Sequence, residues 1–201
     1  LEDFASTLPA SQNSLRATIL YHRLQLDLQD ELYDRARFER YLSLPRQQGY
    51  YSQDYLKSQV RVPLVEFQSN YEAETRCPPI RDDSALIRRY LEHFFQTEGS
   101  INPFSKWLDA GYLTNVFLET KILYGVGDSA SWYAKLASQQ QKDLRDRVEL
   151  RFGENSKGYY QSDEPVSLIV DVKNVPKLIY RVYQINPKNV FRKGASAAST
   201  D

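Results

Sequence analysis

From Ser11 to about Leu44 apolar residues recur at helical spacing. Leu15, Ile19, His22 and Leu26 follow one another at steps of four, three and four, while Leu20, Leu24, Leu28 and Leu32 line the adjacent stripe. This predicts a long helix, or two helices with a bend, ending at Pro45, which has no N–H to give to a helix interior. Residues 46–79 are less periodic and read mostly as connection, with a short helix over Asp54 to Val60. A second helix is expected from Asp82 or Asp83, where an aspartate accepts from free N–H groups, through Leu86, Ile87, Tyr90, Leu91, Phe94 and Phe95 to Gly99. Asn102-Pro103 signals another start, with Phe104, Trp107 and Leu108 as its apolar face. Tyr112 to Tyr124 forms the next helix, closed by a left-handed cap at Gly125. Ser129 to Ala137 follows, with Ser138 and Gln141 as a capping box for a further turn or two.

Near Arg147 the period changes from helical to two. Val148, Leu150 and Phe152 alternate with charged residues until Gly153 closes the run. Val166, Leu168, Val170 and Val172 alternate in the same way, and a turn at Asn174 to Pro176 leads to Leu178 through Ile185 as a hairpin partner. The chain therefore reads as α+β. An N-terminal helical bundle over residues 1–145 precedes a short, incomplete antiparallel β-sandwich segment over 146–193 and a flexible tail over 194–201. The bundle core is expected to contain Leu15, Ile19, Leu26, Leu91, Phe94, Trp107, Phe117 and Trp132.

Composition narrows the function classes. At 41% hydrophobic and 26% charged residues the chain can bury a core. Its 26 basic and 26 acidic side chains are interspersed and no zinc-finger or RNA-binding signature is present, so nucleic acid is not expected as a partner. No apolar run approaches the ~20 residues of a membrane span. The sequence starts at Leu1, has no Met and shows no signal-peptide pattern, which suggests a fragment or processed product.

Candidate chemistry is sparse. His22 and His93 fall on separate predicted helices, and there is no HExxH, paired-cysteine or calcium-loop spacing, so no metal, cofactor or catalytic residue is assigned. Cys77, the single cysteine, has only Arg76 beside it to favour the thiolate and reads as structural. Gly125-Val126-Gly127 follows a helix and lacks the third glycine and the lysine of phosphate loops, so it is a turn. The acids Asp82 and Asp83 are explained by capping and the helix dipole. The outstanding feature is 15 tyrosines. Tyr50, Tyr51 and Tyr55, with Tyr159 and Tyr160, supply candidate recognition surface because Tyr combines apolar area with a hydroxyl.

The runs Trp132-Tyr133-Ala134-Lys135-Leu136, Leu144 to Leu150, Asp163-Glu164-Pro165-Val166, Val172 to Leu178 and Arg181 to Asn186 resemble the entry into macroglobulin-like β-sandwich domains of large alpha-macroglobulin-related proteins. The resemblance covers about the last third, and the thioester Cys-x-Glu-Gln motif of that family is absent. It implies an architectural module, a secreted or cell-surface setting, and a sheet face near Val170, Val172 and Val182 on which a protein partner or the remainder of a long chain docks. The function expected is a structural or protein-interaction module of a larger multidomain protein. The alternative is an enzyme or cofactor-binding domain whose site is completed by another chain or by missing residues, with Cys77, His22 and His93 as its leads.

Overall fold

Helix formation begins with two short elements, α1 (Glu2–Thr7) and a 3₁₀ turn at Ala10–Gln12, ahead of α2 (Asn13–Gln29) and α3 (Arg35–Leu42). The computed structural model describes residues 2–152 and 159–183. The apolar run over 11–44 is thus two helices with a bend. Acidic residues at the end of α2 oppose its dipole, Glu31 takes a left-handed conformation with φ 55°, and Asp34 restarts the helix by accepting from the Arg37 N–H at 2.9 Å.

α4 (Gln53–Ser58) and α5 (Glu72–Thr75) interrupt a long connection. α6 (Ser84–Thr97) and α7 (Ala110–Leu123) then pack together, and α8 (Ser129–Ala134) and α9 (Ser138–Asp146) follow. Ser52, Asp109 and Asp128 each cap the helix they precede through a side-chain oxygen. Gly125 (φ 64°) terminates α7, with the Val126 N–H returning to the Lys121 carbonyl at 2.9 Å.

Two elements differ from expectation. Residues 101–107 form turns rather than a helix, because 107–109 pair with 50–52: the Ser52 N–H donates to the Trp107 carbonyl at 3.0 Å and the Asp109 N–H to the Tyr50 carbonyl at 2.9 Å. Ala137, not Ser138, receives the cap at α9, its N–H donating to Gln140 Oε1 at 3.2 Å.

The core is aromatic and continuous. Phe38 stacks on Tyr90 with centroids 4.8 Å apart and meets Phe104 edge-on at 5.8 Å; Phe95 meets Phe117 at 5.2 Å. Ile19, Leu91, Phe94, Trp107 and Phe117 are buried, whereas Leu15 and Trp132 are half-buried. Leu26 is 50% exposed, because the buried seam of α2 runs through Ala17, Leu20, Leu24 and Asp27, about one residue round the helix from the expected stripe.

The chain divides into two compact units, Leu1–Arg145 and Asp146–Asp201. Within the second, β1 (Glu149–Phe152) pairs antiparallel with β2 (Val170–Lys173), setting Glu149 opposite Lys173 and Arg151 opposite Asp171. This replaces the expected hairpin of 166–173 with 178–185. Residues 177–183 carry no strand; Pro176 offers no N–H to a ladder, and Asn174, at φ 54°, donates its side-chain amide to the Arg147 carbonyl at 3.0 Å. Gly153, Ile185 and the tail 194–201 lie outside the described residues. Among the described residues there is one two-stranded sheet, so the expected β-sandwich is not shown.

Candidate interaction surface

The chemistry of the helical unit is concentrated in its interior. Pro45 stops the chain from continuing α3, and the next residue, Arg46, turns inward until it is fully buried. Its guanidinium donates to Asp83 Oδ2 at 2.9 Å, to the Tyr51 hydroxyl at 2.8 Å and to the Tyr41 carbonyl. The Tyr41 ring lies 3.9 Å beneath it as a cation–π partner. Asp83, also buried, accepts further hydrogen bonds from the hydroxyls of Tyr41, at 2.7 Å, and Tyr50. Tyr51 passes its own proton to the Leu42 carbonyl at 2.8 Å. Asp82 does the capping expected at this helix start, accepting from the Ser84 N–H at 3.0 Å. Asp83 instead holds the connection after α3 against α6.

Burial pushes the Tyr51 hydroxyl up to about 12, with Arg46 opposing, and likewise raises Tyr41 and Tyr50, where Asp83 adds to the effect. Tyr112, which lies against Tyr50 at 5.6 Å, is pushed up to about 12 chiefly by burial. A phenol raised above its unfolded value near 10 contributes stability that is complete below that pH and is lost as pH climbs through the folded value. Circular dichroism between pH 10 and 12 is therefore expected to show cooperative unfolding.

A second cluster is nearer the surface. Arg37 pairs with buried Asp27 of α2, with Asp34 at 3.1 Å and with Glu2 of α1 at 2.9 Å; Arg40 also binds Glu2. Asp27 can occupy a core position because Arg37, with Arg23 at 3.3 Å, neutralises it. Beside α1 a groove of about 430 Å³ is lined by Ile19, His22, Leu26, Thr75 and Cys77.

This groove brings together two of the sequence leads, His22 and Cys77, but not as a reactive pair. The His22 Nε2 lies 2.8 Å from the Pro78 carbonyl oxygen and so carries the proton, while the Cys77 thiol donates to the Thr75 carbonyl at 3.4 Å. His93 stacks on Tyr33 with centroids 3.6 Å apart. Among the described residues no group of three or more His, Cys, Asp or Glu is arranged to hold a metal ion, and no helix is long and apolar enough to cross a membrane.

The tyrosine-rich segment is split by depth. Tyr50 and Tyr51 are buried in the Arg46 cluster, and half-buried Tyr55 donates to the Ser43 carbonyl at 2.6 Å. In the β unit Tyr159 is exposed and Tyr160 half-buried, its hydroxyl donating to the Ser167 carbonyl. Val170 is half-buried, Val172 half-exposed and Val182 89% exposed. Sequence reasoning did not find Arg46, Asp83, Asp27 or Arg37; their residue types signal exposure, and only the folded geometry gives each its counter-charge.

A family model described as the actin-binding protein F N-terminal domain matches residues 1–148. Actin-binding protein F of Dictyostelium discoideum is 29% identical over 191 residues, covering 94% of this chain and 8% of that protein. The chain thus spans less than a tenth of its relative's length. No solved structure matches. These findings overturn the macroglobulin-like resemblance and, with it, the secreted or cell-surface setting it implied. The residues that carried it are strand alternation and Asn/Pro turns, which any half-buried β segment shares. With the match extending over the whole of the helical unit, the chain belongs to the family of actin-binding protein F N-terminal domains.

Proposed function

We propose that this chain is an actin-filament-binding module of a much longer cytoskeletal protein, with the filament contact on the helical unit. The observation that carries this is the family match across residues 1–148. The interior is consistent with it: Arg46 and Asp83 are buried in bonds that hold the fold, and His22 and Cys77 bond to backbone carbonyls and not to each other. The β unit has a different part. A two-stranded ribbon is marginal by itself, and Leu150, Phe152, Val172 and Val182 leave its apolar surface in solvent. Val170, Val172 and Val182, with Tyr159 and Tyr160, form the surface on which the remainder of the long protein docks. Tyr50, Tyr51 and Tyr55 stiffen the helical unit from within.

Co-sedimentation of the 201-residue chain with filamentous actin tests the reading. Saturable pelleting that weakens as salt rises is expected for a contact with a charged component. A chain that stays in the supernatant at every filament concentration would refute it.

A further inference from the structure

α1 packs along α2 but buries little of itself there. Of its six residues only Ala5 is buried, while Phe4, on the same turn and a half, is 52% exposed. The remaining attachment is electrostatic: Glu2 Oε2 lies 2.9 Å from Arg37, and Glu2 Oε1 accepts from Arg40. The Arg40 pair is half in solvent and holds weakly, the Arg37 pair is more sheltered, and elements that bury few side chains open first.

Two grooves lie alongside α1. One groove, of about 340 Å³, is lined by Glu2, Ala5, Arg16, Leu20 and Arg40; the other, of about 430 Å³, by Asp3, Ile19, His22, Leu26 and Cys77. Both follow α2, and α1 borders both. Lifting α1 joins them into a single channel lined by Ile19, Leu20 and Leu26, with Arg16 and Arg40 at one end. The resident shows what the channel accepts: a short helix with acids in its first turn, here Glu2 and Asp3, and a small residue facing inward.

We propose that α1 is a displaceable strap over a helix-binding groove on α2, and that the groove takes a short helix with an acidic first turn from a protein partner. Charge complementarity selects that occupant, since Arg40 loses its Glu2 partner when α1 leaves while Arg37 stays beside it, paired with Asp27 and Asp34. The proposal rests on the functional reading above only in that the partner is a protein.

The single cysteine is a built-in reporter, because Cys77 lines the groove that α1 borders. In the intact 201-residue chain, Glu2→Arg is expected to speed maleimide labelling of Cys77 roughly tenfold, the effect of a 1.4 kcal/mol change in the opening equilibrium. Adding Arg40→Glu to Glu2→Arg should restore slow labelling by charge reversal. A fluorescent peptide of residues 1–9 should bind in trans to a chain lacking those residues, at least tenfold more weakly when Arg40 is Glu, with recovery by the Glu2→Lys peptide. Unchanged labelling in Glu2→Arg overturns the strap, and labelling that speeds without peptide binding to a shortened chain shown to be folded overturns the groove. Neither readout involves actin, so failure of filament binding alone would count against the functional reading and not against this one.

Discussion

Arg46→Met is expected to destabilise the helical unit by ~3 to 5 kcal/mol, the range for removing one partner of a buried ion pair. The substitution keeps an unbranched apolar side chain over the Tyr41 ring but leaves Asp83 as a buried carboxylate with only tyrosine hydroxyls to satisfy it. Tyr51 also loses the donor that orients its hydroxyl. Removing the second charge as well, in Arg46→Met with Asp83→Leu, should recover part of the loss, because the penalty lies in the uncompensated charge more than in the absent attraction. Urea denaturation of the three chains measures this directly. A single variant as stable as the parent would mean that the cluster is not the tie between the connection after α3 and α6.

The second large effect belongs to Phe38. It is fully buried among Tyr90, Phe94 and Phe104, and truncation to Ala should cost about 3 to 5 kcal/mol. Leu26→Ala on the neighbouring helix should stay within about 1 kcal/mol, since half of that side chain is already in water. The contrast matters because helical spacing alone ranks Leu26 as core. Equal losses at the two positions would place the seam of α2 on the stripe through Leu26 instead of the one through Leu24.

The helical architecture was legible because local physics determines it. Apolar spacing marked the helices, Asp82 one start and Gly125 one end for its tolerance of positive φ, whereas the caps Asp34, Ser52, Asp109 and Asp128 were not singled out in the sequence. What local pattern does not encode is pairing at a distance. Asp27 breaks the apolar seam of α2, and it is buried because Arg37, supplied by the next helix, joins Arg23 in neutralising it. Asp83 looks like a capping residue because Asp82 beside it is one; its real partner is 37 positions away. In the β unit, alternation identifies strands but not which strand each pairs with. The cross-strand charges of β1 and β2, together with Pro176, favour a pairing across nearly twenty residues over the nearer hairpin. The interaction surface was least legible, since Tyr50 and Tyr51 are apolar enough for an interface and polar enough to satisfy a buried ion pair.

Hydrogen exchange of the 201-residue chain, alone and saturated with filamentous actin, tests most directly whether the helical unit carries the filament contact. The account predicts that amides within residues 2–145 gain protection while those of 159–183 exchange as they do in the free chain. Protection confined to 159–183, or no change anywhere in 2–145 under saturating actin, would contradict it.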